Sequence, residues 1–553
     1  MKHHFAFLAA CLLATPSLAE KPAERLEGLS AQTLILFDNK DYGKALTAYE
    51  AITADSDFAG LQNTPGLYYR LARAAAQVGK KDKALAALTK AVDLGGAPRA
   101  SEVEKEADLA SLREEPRFKA LAERLRQEEA LWQDNPALAT PYKPVLSEEE
   151  KAAGVSKLWA EARFNFAFFG RLNDLDWDAA YMDALKEAHA ARTTEEYYRG
   201  LMRFLAKLKD GHTRVLPPAK LMDHFNGVTS VNTRLVEGKI IVTGTGDPAL
   251  KAQGVVTGAE VTAIDGQPAL AYAKTKVAPY VFGFTPQDRA VWTYDYKLLR
   301  GPVAEPVRLT LRHADGTTGT VTLPRHQNKG VFGVLPEIDL TAHFKLLPGN
   351  IAYLQVNIFA NDSGAKTMQK HFAAISKAKG LIIDIRNNSG GSSENGYALM
   401  KLLTGKPFKD SNWRSRDYKP VYRSWYRTPG WLRVPADVIK ADAPQHYTGP
   451  VAVLTSPRTF SAAEDFLVVF ASAKRGKLVG ETTAGSTGNP LLIKLPGGGM
   501  AFICTKDDSF PDGRVFEGVG IAPDVPVAQT IADIRAGRDA VLEKAVEVLK
   551  KAQ

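Results

Sequence analysis

Val451–Gly480 reads VAVLTSPRTFSAAEDFLVVFASAKRGKLVG. An apolar run, Val451 to Leu454, has the length and composition of a buried strand. A turn follows at Thr455, Ser456 and Pro457. Ala462, Phe466, Val469 and Phe470 then recur at helical spacing, and Lys477 to Val479 closes the unit as a second strand. Ser461 therefore stands where a strand hands over to a helix. The free N–H groups and positive end of a helix favour negative charge at such a point. A hydroxyl placed there can act as a nucleophile whose oxyanion meets backbone donors. The same residues, Ser461-Ala462-Ala463-Glu464, also spell a capping box ahead of an apolar helix, and the stretch alone leaves both readings open.

Outward from this unit, residues 333–553 alternate strand and helix, the signature of an α/β core. Gly380 to Asp384 (GLIID) is a buried strand running into RNNSGGSSENG, Arg386 to Gly396. Paired glycines after a strand bring backbone N–H groups together. No G-x-G-x-x-G fingerprint and no P-loop lysine are present, so a nucleotide is not implied. Asn350 to Asn357 reads as a strand, Thr367 to Ala378 as a helix, and Ile531 to Lys551 as a helix broken at Gly537.

Residues 225–325 are β-rich with one short helix. Lys239 to Thr245 is a strand, and Val307 to Arg312 is expected to be the last. Gly258 to Pro268 (GAEVTAIDGQP) is similar to the G-D-x-I-x-x-I-(D/N)-G run of PDZ domains, which bind extended peptides on an open sheet edge. Residues 147–220 are helical and end in Lys209-Asp210-Gly211-His212-Thr213-Arg214-Val215. His212 thus lies on a turn between a helix and a strand, a common place for catalytic groups and for local hydrogen bonding alike. Residues 134–146 are a proline-rich linker. In residues 20–133, Asp41 to Ile52 (DYGKALTAYEAI) and Lys81 to Val92 (KDKALAALTKAV) resemble each other. They look like tetratricopeptide helix pairs, or a plain helical pad.

The chain of 553 residues carries a formal charge of +9 without a Lys/Arg-rich block, which argues against nucleic-acid binding. Residues 1–19 read as a secretory signal: a basic start, a short apolar core, and Ser17-Leu18-Ala19 as cleavage site. The expected location is outside the cytoplasm, in a bacterial periplasm. Leu8-Ala9-Ala10-Cys11 also resembles a lipoprotein box, so anchoring at Cys11 is the lesser alternative. No later segment is long and apolar enough to span a bilayer. Cys11 and Cys504 are the only cysteines. After cleavage Cys504 is alone, in an apolar strand, so stability must come from the core. No C-x-x-C, H-E-x-x-H or calcium loop occurs, so neither metal nor cofactor is expected.

KDGHTRV, LIIDIRNNSGG, a strand followed by SPRTFSAAEDF, and EGVGIAPDVPV occur in this order. Together they resemble the tricorn-core and C-terminal processing peptidases, serine peptidases that commonly carry a PDZ-like insert. The resemblance spans Leu146 to Val527 and implies a crotonase- or ClpP-like ββα core. Processing peptidases draw a lysine base from a T-F-G-K segment, where this chain has Thr483-Ala484-Gly485-Ser486. The tricorn-like branch uses a histidine and a glutamate. The resemblance therefore implies Ser461 as nucleophile, His212 as general base and Glu517 as orienting carboxylate. Ala462 with Gly390 or Gly391 would form the oxyanion hole. Tricorn itself has a serine before the histidine where this chain has Gly211, so the link to Glu517 needs another group. The expected function is an exported serine peptidase acting on extended polypeptides, with the helical repeats open to a protein partner. An inert peptide-binding scaffold is the alternative.

Overall fold

The computed structural model describes residues 22–59, 61, 64–132, 135–330, 333 and 335–551. The expected signal segment and Cys11 lie outside the described residues. The chain divides into two compact units, Met1–Asp134 and Asn135–Gln553.

The first unit is helical, with helices at Pro22–Asp38, Tyr42–Ala54, Thr64–Gln77, Lys81–Asp93, Ala100–Lys105 and Pro116–Trp132. The two similar segments open the second and fourth of these. Their alanines and leucines (Ala45, Leu46, Ala84, Leu88) are buried in one shared core with Tyr49 and Leu71. Gly79, at φ 75°, ends the third helix.

The second unit is built on a six-stranded sheet. Its spatial order is Val525–Pro526, Lys477–Gly480, Val451–Thr455, Gly380–Asp384, Ile351–Val356, Ala342–Leu347. All neighbours are parallel except the last pair, an antiparallel hairpin. The strand side chains alternate between two cores, as a period of two requires. Leu354, Ile383 and Val453 face one, packed against the helices Ser393–Lys401 and Ala462–Ser472. Tyr353, Ile382 and Leu454 face the other, under the C-terminal helix Ala540–Lys551. A sheet covered on both faces explains why these strands read as continuous apolar runs.

The helices Glu148–Asn165, Trp177–Ala190 and Thr194–Ala206 pack on a second, antiparallel sheet. That sheet is Arg214–Leu216, Met500–Cys504 and Pro490–Lys494 in spatial order. Trp177 stacks on Phe204 at 4.4 Å within this core.

The β-rich lobe has five strands in line: Val231–Val236, Lys239–Thr245, Glu260–Ile264, Val307–Arg312 and Thr318–Leu323. Two expectations are corrected here. Val307–Arg312 is followed by a further strand, whose sequence TGTVTL alternates weakly because only Val321 and Leu323 are buried. Residues 269–300 hold several short helical turns, not one. In the core, the helix expected at Thr367–Ala378 instead starts at Ser363, because Asn361 Oδ1 accepts from Ser363 N–H at 3.0 Å. The C-terminal break falls where the sequence placed it: Gly537 sits at φ 66° as the left-handed cap of Ile531–Ala536.

Candidate active site

The strand Val451–Thr455 delivers the chain to the turn Ser456–Ser461. Ser456 hydroxyl donates to Arg386 carbonyl at 2.6 Å, and Thr459 hydroxyl to Ile385 carbonyl at 3.0 Å. The turn is thereby tied to the end of the neighbouring strand. Ser461 follows at φ 58°, ψ −129°, a conformation that costs energy for a residue with a Cβ. It is held there by its N–H, which donates to Ser486 carbonyl at 3.0 Å. Although Ser461 is the N-cap position of Ala462–Ser472, its hydroxyl makes no cap bond. It meets His212 Nε2 at 3.0 Å.

His212 is fixed from the other end of the unit. Thr213, the next residue, donates through its hydroxyl to Asp210 at 2.5 Å and accepts from Cys504 N–H at 3.0 Å. The turn is thus anchored to the antiparallel sheet. Phe460 stacks on the imidazole at 4.5 Å between ring centres. The ring is buried, and this burial, with Arg214 and Lys506 nearby, pulls its pKa from the usual 6.5 down to about 3. The imidazole is therefore neutral, with one nitrogen free to accept a proton.

Its second nitrogen, Nδ1, lies 3.1 Å from Ser486 Oγ. Ser486 is buried and fully engaged: its carbonyl takes Ser461 N–H, and its N–H donates to Glu464 Oε2 at 2.9 Å. Glu464 also accepts from Gly485 N–H at 2.8 Å and from Thr483 hydroxyl. Burial pushes its carboxyl up to about 7 against these three donors. So the glutamate of the S-A-A-E stretch does not close a capping box; it holds the loop that carries Ser486.

Glu517, expected to orient His212, does not contact it. Its Oε1 is taken by the N–H and hydroxyl of Thr487, and its Oε2 lies 3.8 Å from Arg171. Burial, reinforced by the charges of Asp508 and Glu464, raises its pKa well above the carboxylate range. The physical reason is local: Thr487 captures the carboxyl one residue away, and Ser486 fills the place beside Nδ1. A Cβ on Gly211 would lie 2.8 Å from Ser486 Oγ and 2.7 Å from the Phe460 ring, so the glycine leaves room for that serine.

The expected oxyanion residues converge on Ser461. Gly390 is so close that a Cβ there would lie 2.6 Å from Ser461 Cβ. Its N–H, however, already donates to Asn388 Oδ1 at 3.0 Å. Among the described residues the N–H groups of Gly391 and Ala462 have no acceptor. Gly391 needs its φ of 132°, since a Cβ there would strike Phe359 backbone at 2.4 Å. Beside Ser461 opens a cavity of about 200 Å³ lined by Val291, Trp292, Ile358, Ala360 and Phe460, with Asp288 and Arg214 also on its wall. Among the described residues no cluster suited to a metal ion occurs.

Ser486, Thr487, Glu464 and Asn388 were not assigned these roles from sequence. The visible signal was a run of small hydroxyl residues, Thr482 to Thr487, interrupted only by Ala484 and Gly485. Such a run is poor in structure-forming residues but rich in hydrogen-bonding groups.

Residues 350–527 match the model of peptidase family S41. The C-terminal processing peptidase of Tetradesmus obliquus chloroplasts is 26% identical over 417 residues, covering 70% of this chain and 79% of that one. The carboxy-terminal processing protease CtpA of Bacillus subtilis (strain 168) is 26% identical over 187 residues, 34% of this chain and 36% of that protein. In fold the chain is similar to mature CPAF, solved complexed with lactacystin, with a TM-score of 0.57 at 17% identity, covering 73% of this chain and 98% of that one. The match over residues 350–527 and the similarity to C-terminal processing peptidases mark this chain as a serine-type peptidase similar to family S41.

Proposed function

We propose that the chain is an exported peptidase that cleaves extended polypeptides through an acyl-enzyme on Ser461. The observation that carries this reading is the 3.0 Å approach of Ser461 Oγ to His212 Nε2 at a strained backbone position. In the proposed cycle Ser461 Oγ attacks the scissile carbonyl carbon while His212 Nε2 takes its proton. The N–H groups of Gly391 and Ala462 receive the oxyanion, each such donor being worth about 3 kcal/mol of barrier. The C–N bond then breaks and His212 returns the proton to the departing amine. Water, deprotonated by the same imidazole, hydrolyses the ester. Ser486 acts as a positioning residue: with the ring proton on Nδ1 pointing at Ser486 Oγ, the Nε2 lone pair faces Ser461. Glu464 and Glu517 hold the loop that carries Ser486.

The aromatic and aliphatic cavity beside Ser461 supports a preference for an apolar side chain next to the cut bond. Residues 225–325 would act as a PDZ-like peptide platform. The first unit, with its tetratricopeptide-like helix pairs, would offer a surface for a protein partner. A fluorophosphonate probe with mass-spectrometric mapping tests the centre of the reading. Labelling at Ser461 that disappears in His212→Ala supports it; unlabelled, folded wild-type protein refutes it in favour of a binding scaffold.

A further inference from the structure

A second feature lies on the strand pair Asn412–Asp417 and Gly430–Val434 and the loop between them. From Trp413 to Trp431 the sequence is WRSRDYKPVYRSWYRTPGW, with cations and aromatics interleaved and Asp417 as its sole acid. The loop encloses a cavity of about 340 Å³ against Phe164 and Phe169 of the helical region. Arg163, Arg416, Lys419, Arg423 and Arg427 line it, and no carboxylate does. Arg163 is paired with Asp178 at 2.5 Å and Lys419 with Asp417 at 3.3 Å. Arg423 lies within electrostatic reach of Asp178 and Arg416 of Asp507; Arg416 also lies over the Trp431 ring and Arg427 over Tyr422 and Trp425. The outer rim of the same loop exposes apolar side chains: Val421 at 46%, Trp425 at 55% and Tyr426 at 99%.

We propose that this loop docks on a bilayer surface rich in anionic phospholipid. Trp425, Tyr426 and Val421 enter the boundary between headgroups and acyl chains, where amphipathic aromatic rings are favoured. Arg416, Arg423 and Arg427 face the headgroup phosphates, whose paired non-bridging oxygens suit a guanidinium fork. Charge complementarity selects this occupant. The loop carries excess positive charge beside exposed aromatics, so an uncharged apolar partner would leave the arginines desolvated. Among the described residues no helix is long and apolar enough to cross a membrane.

The test is flotation of the full chain with vesicles of phosphatidylcholine alone and with vesicles one-third phosphatidylglycerol. Two double variants, Trp425→Ala/Tyr426→Ala and Arg423→Ser/Arg427→Ser, are checked for wild-type thermal melting. Because each cation near an anionic surface contributes on the order of a fivefold change in partitioning, the arginine variant should float about tenfold or more less well. The expected result is retention on the phosphatidylglycerol vesicles only, weakened by salt and by both variants, with hydrolysis of a soluble peptide unchanged. Absence of retention, equal retention on neutral vesicles, or retention indifferent to both variants would overturn the proposal. Binding of polyglutamate without binding of vesicles would also overturn it, in favour of an acidic protein partner.

Discussion

Ser461 combines a left-handed backbone with a hydroxyl aimed at an imidazole, and each property makes a separate expectation. Ser461→Ala and His212→Ala should each lower kcat by about 10⁴-fold or more in a peptide-hydrolysis assay, with the double variant scarcely worse than either. Ser486→Ala leaves Nδ1 without its partner; kcat should fall by about 10- to 100-fold with KM nearly unchanged, since only proton positioning is lost. Gly211→Ala pushes a methyl against Phe460 and Ser486, so both activity and melting temperature should fall. His212 also sets a pH response. Its folded pKa of about 3 lies below the ordinary 6.5, so between these values the unfolded chain binds a proton that the native chain refuses. Stability from this residue is complete above about 6.5 and is lost as pH falls towards 3. Melting curves should therefore show His212→Gln losing less stability than wild type over that acid range. At this scale a junction between elements left Ser461 open between cap and nucleophile and His212 open between base and local hydrogen-bonding residue, and only the resemblance of the ordered motifs singled them out. Ser486 was not legible, since only the fold brings a hydroxyl from position 486 beside an imidazole from position 212.

The strands of the central sheet illustrate which elements can be read and which cannot. Gly380–Asp384 and Val451–Thr455 are buried along their whole length and appear as apolar runs. Thr318–Leu323 and the helical turns within 269–300 are half exposed and carry no clear period, so they were missed. One element contact was invisible in the sequence and matters for stability. Arg386, just past a core strand, grips Asp384 at 2.6 Å and both oxygens of Asp539 at 2.8 Å, while Tyr353 hydroxyl donates to Asp384 at 2.7 Å. The fork joins the sheet to the start of the C-terminal helix. Arg386→Ala strands a buried carboxylate and should cost about 3–5 kcal/mol in a denaturant titration. Arg386→Met/Asp384→Leu should recover part of that loss, because the deeply buried Asp384 charge is gone and only the more exposed Asp539 loses its partner.

At the scale of the whole molecule, the division at Asp134 makes the second unit a domain with cores of its own. Residues 135–553 expressed alone should fold, melt cooperatively and hydrolyse a short peptide within about threefold of the full chain, because every site residue lies within them. A fall of more than tenfold with folding intact would mean that the helical unit takes part in catalysis. The helical pattern of residues 20–133 and the proline-rich stretch after it are legible in the sequence, but the pairing of distant regions is not. His212 and Ser461 are 249 residues apart, and His212 and Ser486 are 274 apart. Closing loops of that size carries a large entropic cost, so such contacts form late in folding. In refolding, helical circular dichroism should recover before hydrolysis. Under the proposed mechanism, a newly made chain that is still extended consequently holds a serine and a histidine with no catalytic relation to each other, and proteolysis becomes available only when folding is complete.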